Sequence, residues 1–246
     1  MSPTYSGAQI ACTLLERQGV RLIFGIPGGA ILPFYDALSR SPIRHVLARH
    51  EQGAGFMAHG WARATGQVGV AVVTSGPGLT NILTALADAQ CDSIPLVVLS
   101  GQVPQSLLGT NAFQEVDAVA LVRPICKAAF MARSPQDLLR LIPRAFHLAA
   151  TGRPGAVLID IPKDVQTASC PVDSWPEPGK AEASPLPDAD ALQRAATMIR
   201  ASQRPLLYLG GGVIQSGSAG LARRLAEHLD APVTMTLMGL GAIAPE

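Results

Sequence analysis

The sequence predicts an α/β protein built on a doubly wound parallel sheet, and two patterns carry that prediction. Apolar runs without polar alternation are typical of strands buried on both faces of a parallel sheet. Such runs lie at residues 22–24, 70–73, 96–99, 156–159, 206–209 and 233–235. Between them, helical spacing joins Ile10 to Leu14 and Ile82 to Leu86. Strands and helices that alternate in this way form parallel sheets through right-handed crossovers.

The composition fits a packed globular chain rather than a disordered or fibrous one. Of the 246 residues, 48% are hydrophobic and 15% are charged, and the charged fraction lies well below the usual ~25%. A chain this apolar is able to bury one large core or two modest ones. The 24 glycines follow no three-residue period, which excludes a collagen-like protein.

Charge, cysteine spacing and hydropathy exclude several further classes. The formal net charge is +1 and no basic run occurs, so no nucleic-acid partner is expected. The four cysteines form no C-x-x-C pair, which predicts reduced thiols rather than a zinc site or disulfides. The first basic residue is Arg17, and the uncharged stretch 22–35 is interrupted by glycine and proline and is shorter than a membrane helix. We therefore expect a cytoplasmic protein with no membrane partner.

A proline-rich stretch divides the chain into two predicted domains. Five prolines lie between residues 171 and 187 with no periodicity, as in a semi-rigid linker. The predicted boundaries are 1–165 for the first domain, 166–187 for the linker and 188–246 for the second domain. Only two clear apolar runs follow the linker, fewer than a stable parallel sheet normally needs. The second domain is therefore expected to be the truncated start of another α/β domain.

Glu51 is the candidate catalytic carboxylate. Residues 44–51 are predicted to form a strand with Glu51 at its carboxyl end, and a helix is predicted from Gln52 onward. Ligands of open α/β sheets lie at the carboxyl ends of the strands, where this carboxylate would stand. A glutamate that complements a helix dipole would occupy the same position, so position alone leaves both interpretations open.

Two glycine-rich turns follow the first predicted strands. The turn at 74–78 leads into a helix with Pro77 at a favourable first position, and the turn at 26–30 is of the same kind. Amides at such a helix start are able to hold an anion or a polar ring, but for either segment taken alone an ordinary tight turn is the favoured interpretation. Neither turn has the lysine-containing pattern of a Walker loop.

A third glycine turn, 210–212, lies in the second predicted domain. It follows the Gly-x-Gly-x-x pattern, but Gln215 stands where the dinucleotide fingerprint has Gly or Ala. The next strand ends near Thr234 and Thr236 instead of at an acid that would hold a ribose. A standard NAD site is therefore disfavoured, while another use of the same crevice stays open. No serine nucleophile elbow occurs, and His59 and His147 are interpreted as packed or solvated side chains rather than metal ligands.

Taken together, these segments resemble the thiamine diphosphate-dependent decarboxylase and carboligase superfamily, and the catalytic subunits of acetolactate synthases in particular. The resemblance covers the whole chain, in order, at residues 24–30, 49–54, 74–78, 112–117, 152–155, 160–164, 210–212 and 236–241. It implies that 1–165 binds the aminopyrimidine of the cofactor and that 188–246 opens a central domain that holds FAD. It also implies a further domain that binds the diphosphate through Mg²⁺, whose Gly-Asp-Gly signature does not occur in this sequence.

The resemblance assigns roles to individual residues. It makes Glu51 the carboxyl group that exchanges a proton with a ring nitrogen of thiamine, in an apolar pocket that raises its pKa. The implied cofactor contacts are Pro27, Thr74, Gly76, Pro77 and Asn81 at the pyrimidine, and Arg153, Gly210, Gly211, Gly212, Thr236, Leu237 and Met238 at FAD. The implied substrate-binding residues are Gly29, Ala30, Phe113, Gln114 and Lys163. No residue of this chain is assigned to a metal.

The implied activity is acetolactate synthase-type carboligation in branched-chain amino acid biosynthesis. One 2-oxo acid, pyruvate, loses carbon dioxide, and its two-carbon unit is transferred to a second 2-oxo acid. The family implies a homodimer or a higher homo-oligomer, a regulatory subunit, and no turnover by this piece without the diphosphate-binding domain. Departures from the family pattern at Phe56, His59, Asn111 and Met238 leave substrate preference and FAD affinity open. The alternatives are another thiamine diphosphate-dependent decarboxylase or carboligase and a non-catalytic module.

Overall fold

Ten strands and ten α-helices account for most of the residues that the computed structural model describes, which are residues 2–244. The strands are β1 (Thr4–Ser6), β2 (Leu22–Gly25), β3 (Arg44–Leu47), β4 (Gly69–Val73), β5 (Leu96–Gln102), β6 (Ala128–Met131), β7 (Ala156–Pro162), β8 (Ser169–Pro171), β9 (Leu207–Leu209) and β10 (Val233–Met235). The helices are α1 (Gly7–Arg17), α2 (Leu32–Leu38), α3 (Glu51–Thr65), α4 (Pro77–Cys91), α5 (Ala118–Val122), α6 (Pro135–Ala150), α7 (Lys163–Thr167), α8 (Ala189–Ala201), α9 (Gly211–Gln215) and α10 (Ala219–Leu229). The chain divides into two compact units after Ala183.

A parallel sheet of six strands, in the spatial order β3-β2-β4-β5-β7-β6, forms the centre of the first unit. Every residue of β4, β5 and β7 is buried, because helices cover both faces of the sheet. Helices α1, α2 and α6 contribute to one apolar core, and α3, α4 and α5 contribute to the other. The predicted α/β class with a parallel sheet is confirmed.

Several boundaries differ from those that the sequence predicts. Strand β3 ends at Leu47, and Glu51 is the first residue of α3 rather than the last residue of a strand. The helix begins one residue earlier than predicted. His50 is in an extended conformation and caps the helix, because its ring accepts a hydrogen bond from the amide of Gln52. Strand β6 was not predicted, since it is a half-buried edge strand without a distinct apolar run.

The first part of the predicted linker is regular structure. Residues 166 and 167 end α7, and the Gln166 side chain is buried, where its Nε2 donates to the carbonyl oxygens of Ala30 and Ile161. Strand β8 then pairs antiparallel with β1. Elements of three residues are too short to leave a periodic signature in the sequence, which explains why the proline count alone suggested an irregular segment.

The second unit begins at Ser184 and contains α8, β9, α9, α10 and β10. Its two strands pair in parallel, with Leu207 opposite Val233 and Leu209 opposite Met235. Both strands therefore end at the same edge. No helix within residues 2–244 has the length and hydropathy needed to traverse a bilayer.

Candidate functional site

The carboxyl group of Glu51 lies at the start of α3, where the sheet's neighbouring strands also end. The residue is 9% exposed, and its Oε2 atom accepts a hydrogen bond from Nδ2 of Asn81 at 2.9 Å. Asn81 lies in the second turn of α4, so the pair is supplied by two helices, one after β3 and one after β4, the strands on either side of β2. Within the described residues, Oε1 of Glu51 accepts no hydrogen bond. One carboxylate oxygen is thus fixed and the other is available.

The turn after β2 and the turn after β4 touch each other next to Glu51. Thr74 is buried, and its Oγ1 accepts a hydrogen bond from the amide of Ala30 at 3.3 Å. A Cβ atom placed on Gly28 would come within 2.6 Å of Cβ of Thr74, and one placed on Gly78 within 2.7 Å of its Cγ2. These two glycines are therefore needed for the close approach of the turns around Thr74.

Gly78 also borders the available oxygen of the carboxyl group. A Cβ atom on Gly78 would lie 3.6 Å from Oε1 of Glu51. The bare glycine backbone at this point leaves room for a flat ring to approach the carboxyl group. Pro77, the first residue of α4, is exposed beside it.

Gly76 connects this turn to the loop between β5 and α5. Its φ angle is +54°, and a Cβ atom there would come within 2.7 Å of the carbonyl oxygen of Gln114. The loop is held in shape by Glu115, whose carboxylate accepts hydrogen bonds from the amides of Gly109, Thr110 and Ala112. These amides, first that of Gly109, lower the pKa of Glu115. Gln114 is thereby brought against the turn that carries Gly76.

The remaining predicted substrate-binding and pyrimidine-binding residues lie in loops and helix starts that follow the sheet strands or border them. Pro27 and Gly29 are exposed in the turn after β2, while Ala30 is buried. Phe113 is 87% exposed, and Lys163 is exposed at the first position of α7. The predicted residues that lie close together are thus Glu51, Asn81, Thr74, Gly76 and Gln114. The other predicted residues of the first unit lie around them.

Tyr35 is a neighbour of Glu51 that the sequence did not indicate. Its hydroxyl donates to the carbonyl oxygen of Val72 at 3.2 Å, and a Cβ atom on Gly25 would come within 2.5 Å of that hydroxyl. Burial raises the pKa of Tyr35, and the negative charge of Glu51 raises it further. The phenol therefore stays neutral. A tyrosine on the apolar face of a helix gives no sequence signal that separates this position from ordinary packing.

A buried polar group inside the sheet was also missed. Nε2 of Gln102 donates to Oδ2 of Asp160 at 3.0 Å and to the carbonyl oxygen of Val116 at 2.8 Å. Burial raises the pKa of Asp160 to about 7. The sequence signal that could have indicated this group is the presence of two polar residues, Gln102 and Asp160, in strands that are otherwise apolar. Gln102 ties the sheet to the loop that carries Gln114.

In the second unit, the two segments predicted to contact FAD lie side by side. Gly210 caps α9 directly after β9, and Thr236 follows β10. A Cβ atom on Gly211 would come within 3.0 Å of Cβ of Met238, whereas Gly212 faces open space. Leu237 is 82% exposed. The carboxyl ends of the two parallel strands therefore form one glycine-lined edge.

Arg153 lies in the first unit and holds the end of α4. Its Nε donates to Oγ of Ser93 at 2.8 Å, and its NH2 donates to the carbonyl oxygens of Gln90 and Cys91 at 3.3 and 2.8 Å. Carbonyls at the end of a helix have no partner within the helix, so a guanidinium there is stabilising. The observed contacts of Arg153 are structural ones.

Comparisons with known proteins match both units. The family described as the thiamine pyrophosphate enzyme, N-terminal TPP binding domain, matches residues 5–121, and the thiamine pyrophosphate enzyme central domain matches residues 192–246. The chain is 50% identical over 240 residues to the acetolactate synthase isozyme 1 large subunit of Escherichia coli K12, which is 97% of this chain and 42% of that protein. It is 52% identical over 242 residues to an acetolactate synthase of Mycobacterium bovis, covering 96% of this chain and 39% of that protein.

A third relative is also named as a probable acetolactate synthase. The probable acetolactate synthase large subunit of Methanocaldococcus jannaschii is 48% identical over 240 residues, covering 96% of this chain and 41% of that protein. The chain spans about two fifths of the length of these curated relatives.

Proposed function

The chain belongs to the thiamine pyrophosphate enzymes, and we propose that it is the part of an acetolactate synthase-type enzyme that holds the aminopyrimidine of thiamine diphosphate. The single observation that carries this proposal is the buried Glu51 carboxyl group, fixed through Oε2 by Asn81 and bordered at Oε1 by the bare backbone of Gly78. This donor set fits a flat ring with a basic nitrogen, because one oxygen is held in place and the other faces a position without a side chain.

Glu51 is proposed to hold and return a proton at Oε1, opposite a ring nitrogen of the cofactor. Thiamine diphosphate, when bound, supplies the carbanion chemistry of its thiazolium carbon. Asn81 holds Oε2 of the carboxyl group, so that Oε1 would be the oxygen that faces a bound ring. Thr74 and Gly76 shape the floor on which the ring would lie, and the buried surroundings exclude water from the proton exchange.

The substrates proposed for the whole enzyme are two 2-oxo acids, of which pyruvate is decarboxylated and donates its two-carbon unit. The exposed side chains of Phe113 and Lys163 and the loop residue Gln114 are proposed to contact them, together with Gly29 and Ala30. A lysine ammonium suits the carboxylate that both substrates carry. The pathway proposed for this reaction is branched-chain amino acid biosynthesis, as the resemblance to the acetolactate synthases implies.

FAD is proposed to bind at the glycine-lined edge of the second unit. Gly210, Gly211 and Gly212 stand at the start of a helix, where backbone amides suit a diphosphate, and Thr236, Leu237 and Met238 flank them. Arg153 stays a proposed FAD contact, although its observed partners lie at and just after the end of α4. Mg²⁺ is proposed to accompany the diphosphate of thiamine, and no residue of this chain is assigned to hold it there.

We further propose that the enzyme is a homodimer or a higher homo-oligomer and that a regulatory subunit joins it. Two of the relatives described above are named large subunits, which supports the existence of a smaller partner. The four free cysteines fit a reducing compartment, as in the cytoplasm.

The test is the substitution Glu51→Gln in the complete protein that contains this chain. We expect acetolactate formation to fall by roughly 10²- to 10⁴-fold, the usual contribution of general acid–base catalysis. Glu16→Gln, which changes an exposed glutamate of α1, is the matched control and should keep full activity. Unchanged acetolactate formation in the Glu51→Gln variant would contradict the proposed role. Activity with glyoxylate alone, in a comparison of pyruvate, 2-oxobutyrate and glyoxylate, would favour a different carboligase.

A further inference from the structure

Four charged or titratable side chains form a cluster between α3 and α4, away from the contacts of Glu51. His59 and Arg63 lie one turn apart on α3, while Asp88 lies on α4 and Asp92 caps that helix. Nε2 of His59 is 3.1 Å from Oδ2 of Asp88, and NH2 of Arg63 pairs with Oδ2 of Asp92. One ligand atom each from His59, Asp88 and Asp92 lies within 4.8 Å of the other two.

His59 is the member of this cluster that simple ion pairing does not explain. The residue is 7% exposed, and its Nε2 atom is buried without a hydrogen-bond partner in the described chain. The Oδ2 atom of Asp88 lies 3.1 Å from this nitrogen, yet the two atoms form no hydrogen bond. A buried nitrogen without a hydrogen-bond partner destabilises the folded protein unless another group binds to it.

The separation of the two side chains is compatible with their being ligands of one ion. For ligand–metal distances of about 2.1 Å, the 3.1 Å separation of Nε2 and Oδ2 corresponds to an angle of about 95° at the ion. Such an angle lies between the octahedral and the tetrahedral value.

The charges around the His59 ring are compatible with the binding of a metal ion. Burial, with a smaller contribution from Arg63, lowers the pKa of His59, while Asp88 and Asp92 raise it less. The side chains of Asp88 and Asp92 are 42% and 29% exposed, so an ion has access from solvent. Arg63 competes for one oxygen of Asp92.

We propose that His59, Asp88 and Asp92 form a binding site for one divalent transition-metal ion, with Zn²⁺ as its representative. One imidazole nitrogen and two carboxylate oxygens suit zinc, and water completes the coordination. The ion would connect α3, which begins at Glu51, to α4, which carries Asn81. The site is independent of the proposed function, because none of its ligands contacts Glu51.

The test is a titration of the purified protein with Zn²⁺ after chelator treatment, without thiamine diphosphate and Mg²⁺. We expect one saturable ion per chain by calorimetry, and a rise in unfolding temperature on Zn²⁺ addition. His59→Gln and Asp88→Asn should each weaken the affinity at least tenfold. His147→Asn is the matched control, because His147 also faces a carboxylate, with its Nε2 3.5 Å from Oε1 of Glu182. This control should leave the affinity unchanged.

Two further variants separate the site from alternative sites. Arg63→Gln removes the competing cation and should keep or increase the affinity. Cys91, an exposed thiol beside Asp92, is a potential zinc ligand in its own right, and Cys91→Ser should leave the affinity unchanged. If His59→Gln does not fold, Asp88→Asn, at a partly exposed position, carries the test. Equal Zn²⁺ affinity in wild type and in the Asp88→Asn variant, or loss of binding in Cys91→Ser, would overturn the proposal.

Discussion

Asp160 shows how the surroundings of one residue determine its charge. It lies in β7, where all residues are buried, and its Oδ1 atom has no hydrogen-bond partner in the described chain, whereas Oδ2 accepts from Gln102. Burial is the main cause that raises its pKa to about 7, with hydrogen bonds from Gln102 and Ser100 opposing it. The neutral acid is thus the form that the fold favours in mildly acidic solution.

This raised pKa gives a testable pH dependence of stability. Because the folded pKa exceeds the unfolded one, the folded state binds the proton more tightly, and the stabilising contribution is fully present below about pH 4. It is lost as the pH rises through about 7. A tenfold difference in proton affinity between the two states corresponds to about 1.4 kcal/mol of stability. The substitution Asp160→Asn removes the titration while keeping the shape of the side chain. The variant should therefore be destabilised relative to wild type by less at pH 8 than at pH 5.

Urea unfolding of both proteins at pH 5 and pH 8 measures that change. Asp36→Asn, at an exposed residue paired with Arg40, is the control and should show a constant difference from wild type over this range. If Asp160→Asn were less destabilising at pH 5 than at pH 8, the carboxylate of Asp160 would be charged and stabilised in the fold.

At this scale the sequence indicates residue types but not their partners. Glu51 could be selected because an acid before a run of small residues is recognisable in a one-dimensional pattern. Its bond to Asn81 joins residues 30 positions apart and depends on how α3 packs on α4. The spacing of residues along the sequence does not determine the angle at which these two helices pack. The same reason explains why Tyr35 and the group around Asp160 were missed.

At the scale of elements, the central strands could be predicted almost completely. Buried parallel strands have continuous apolar runs, and the runs at 70–73 and 96–99 fall inside β4 and β5. Strand β5 continues to Gln102 because it pairs with β7 as far as Pro162, which an apolar run does not reveal. The strands that were missed are the edge strand β6 and the three-residue strands β1 and β8, which depend on partners distant in sequence.

The turn between β4 and α4 provides a prediction at the same scale. Gly76→Ala places a Cβ atom at a φ of +54° and within 2.7 Å of the carbonyl oxygen of Gln114. Gly66→Ala places one at a φ of +70° with open space around it. The control should cost about 1 kcal/mol from backbone strain alone, while Gly76→Ala should cost about 3 kcal/mol because the loop must also move.

Denaturant unfolding of both variants measures these costs. The loop that carries Gln114 should also become more accessible to proteolysis in Gly76→Ala and not in Gly66→Ala. Equal destabilisation of the two variants would mean that the contact with Gln114 contributes nothing to the position of this turn.

At the scale of the whole molecule, the buried apolar side chains are divided unequally between the two units. The first unit contains both apolar core clusters, one on each face of the sheet. Among the described residues of the second unit, the buried apolar side chains are those of Leu209, Ala226 and Ala242. Large apolar side chains of this unit are exposed instead, including Leu186, Met198, Leu206, Tyr208, Leu221 and Leu237. Its two strands therefore lack the covered faces that a parallel sheet requires.

This distribution predicts different behaviour when the two units are produced separately. Residues 1–183 should unfold cooperatively in urea, because their sheet is covered on both faces by helices. Residues 184–246 should show a broad transition without a defined midpoint, since a core of this size does not offset the conformational entropy of some 60 residues. Circular dichroism and tryptophan fluorescence follow the first unit, which contains Trp61 and Trp175, and circular dichroism alone follows the second. A sharp, reversible transition of residues 184–246 at a concentration where the fragment is monomeric would show that these residues form a sufficient core by themselves.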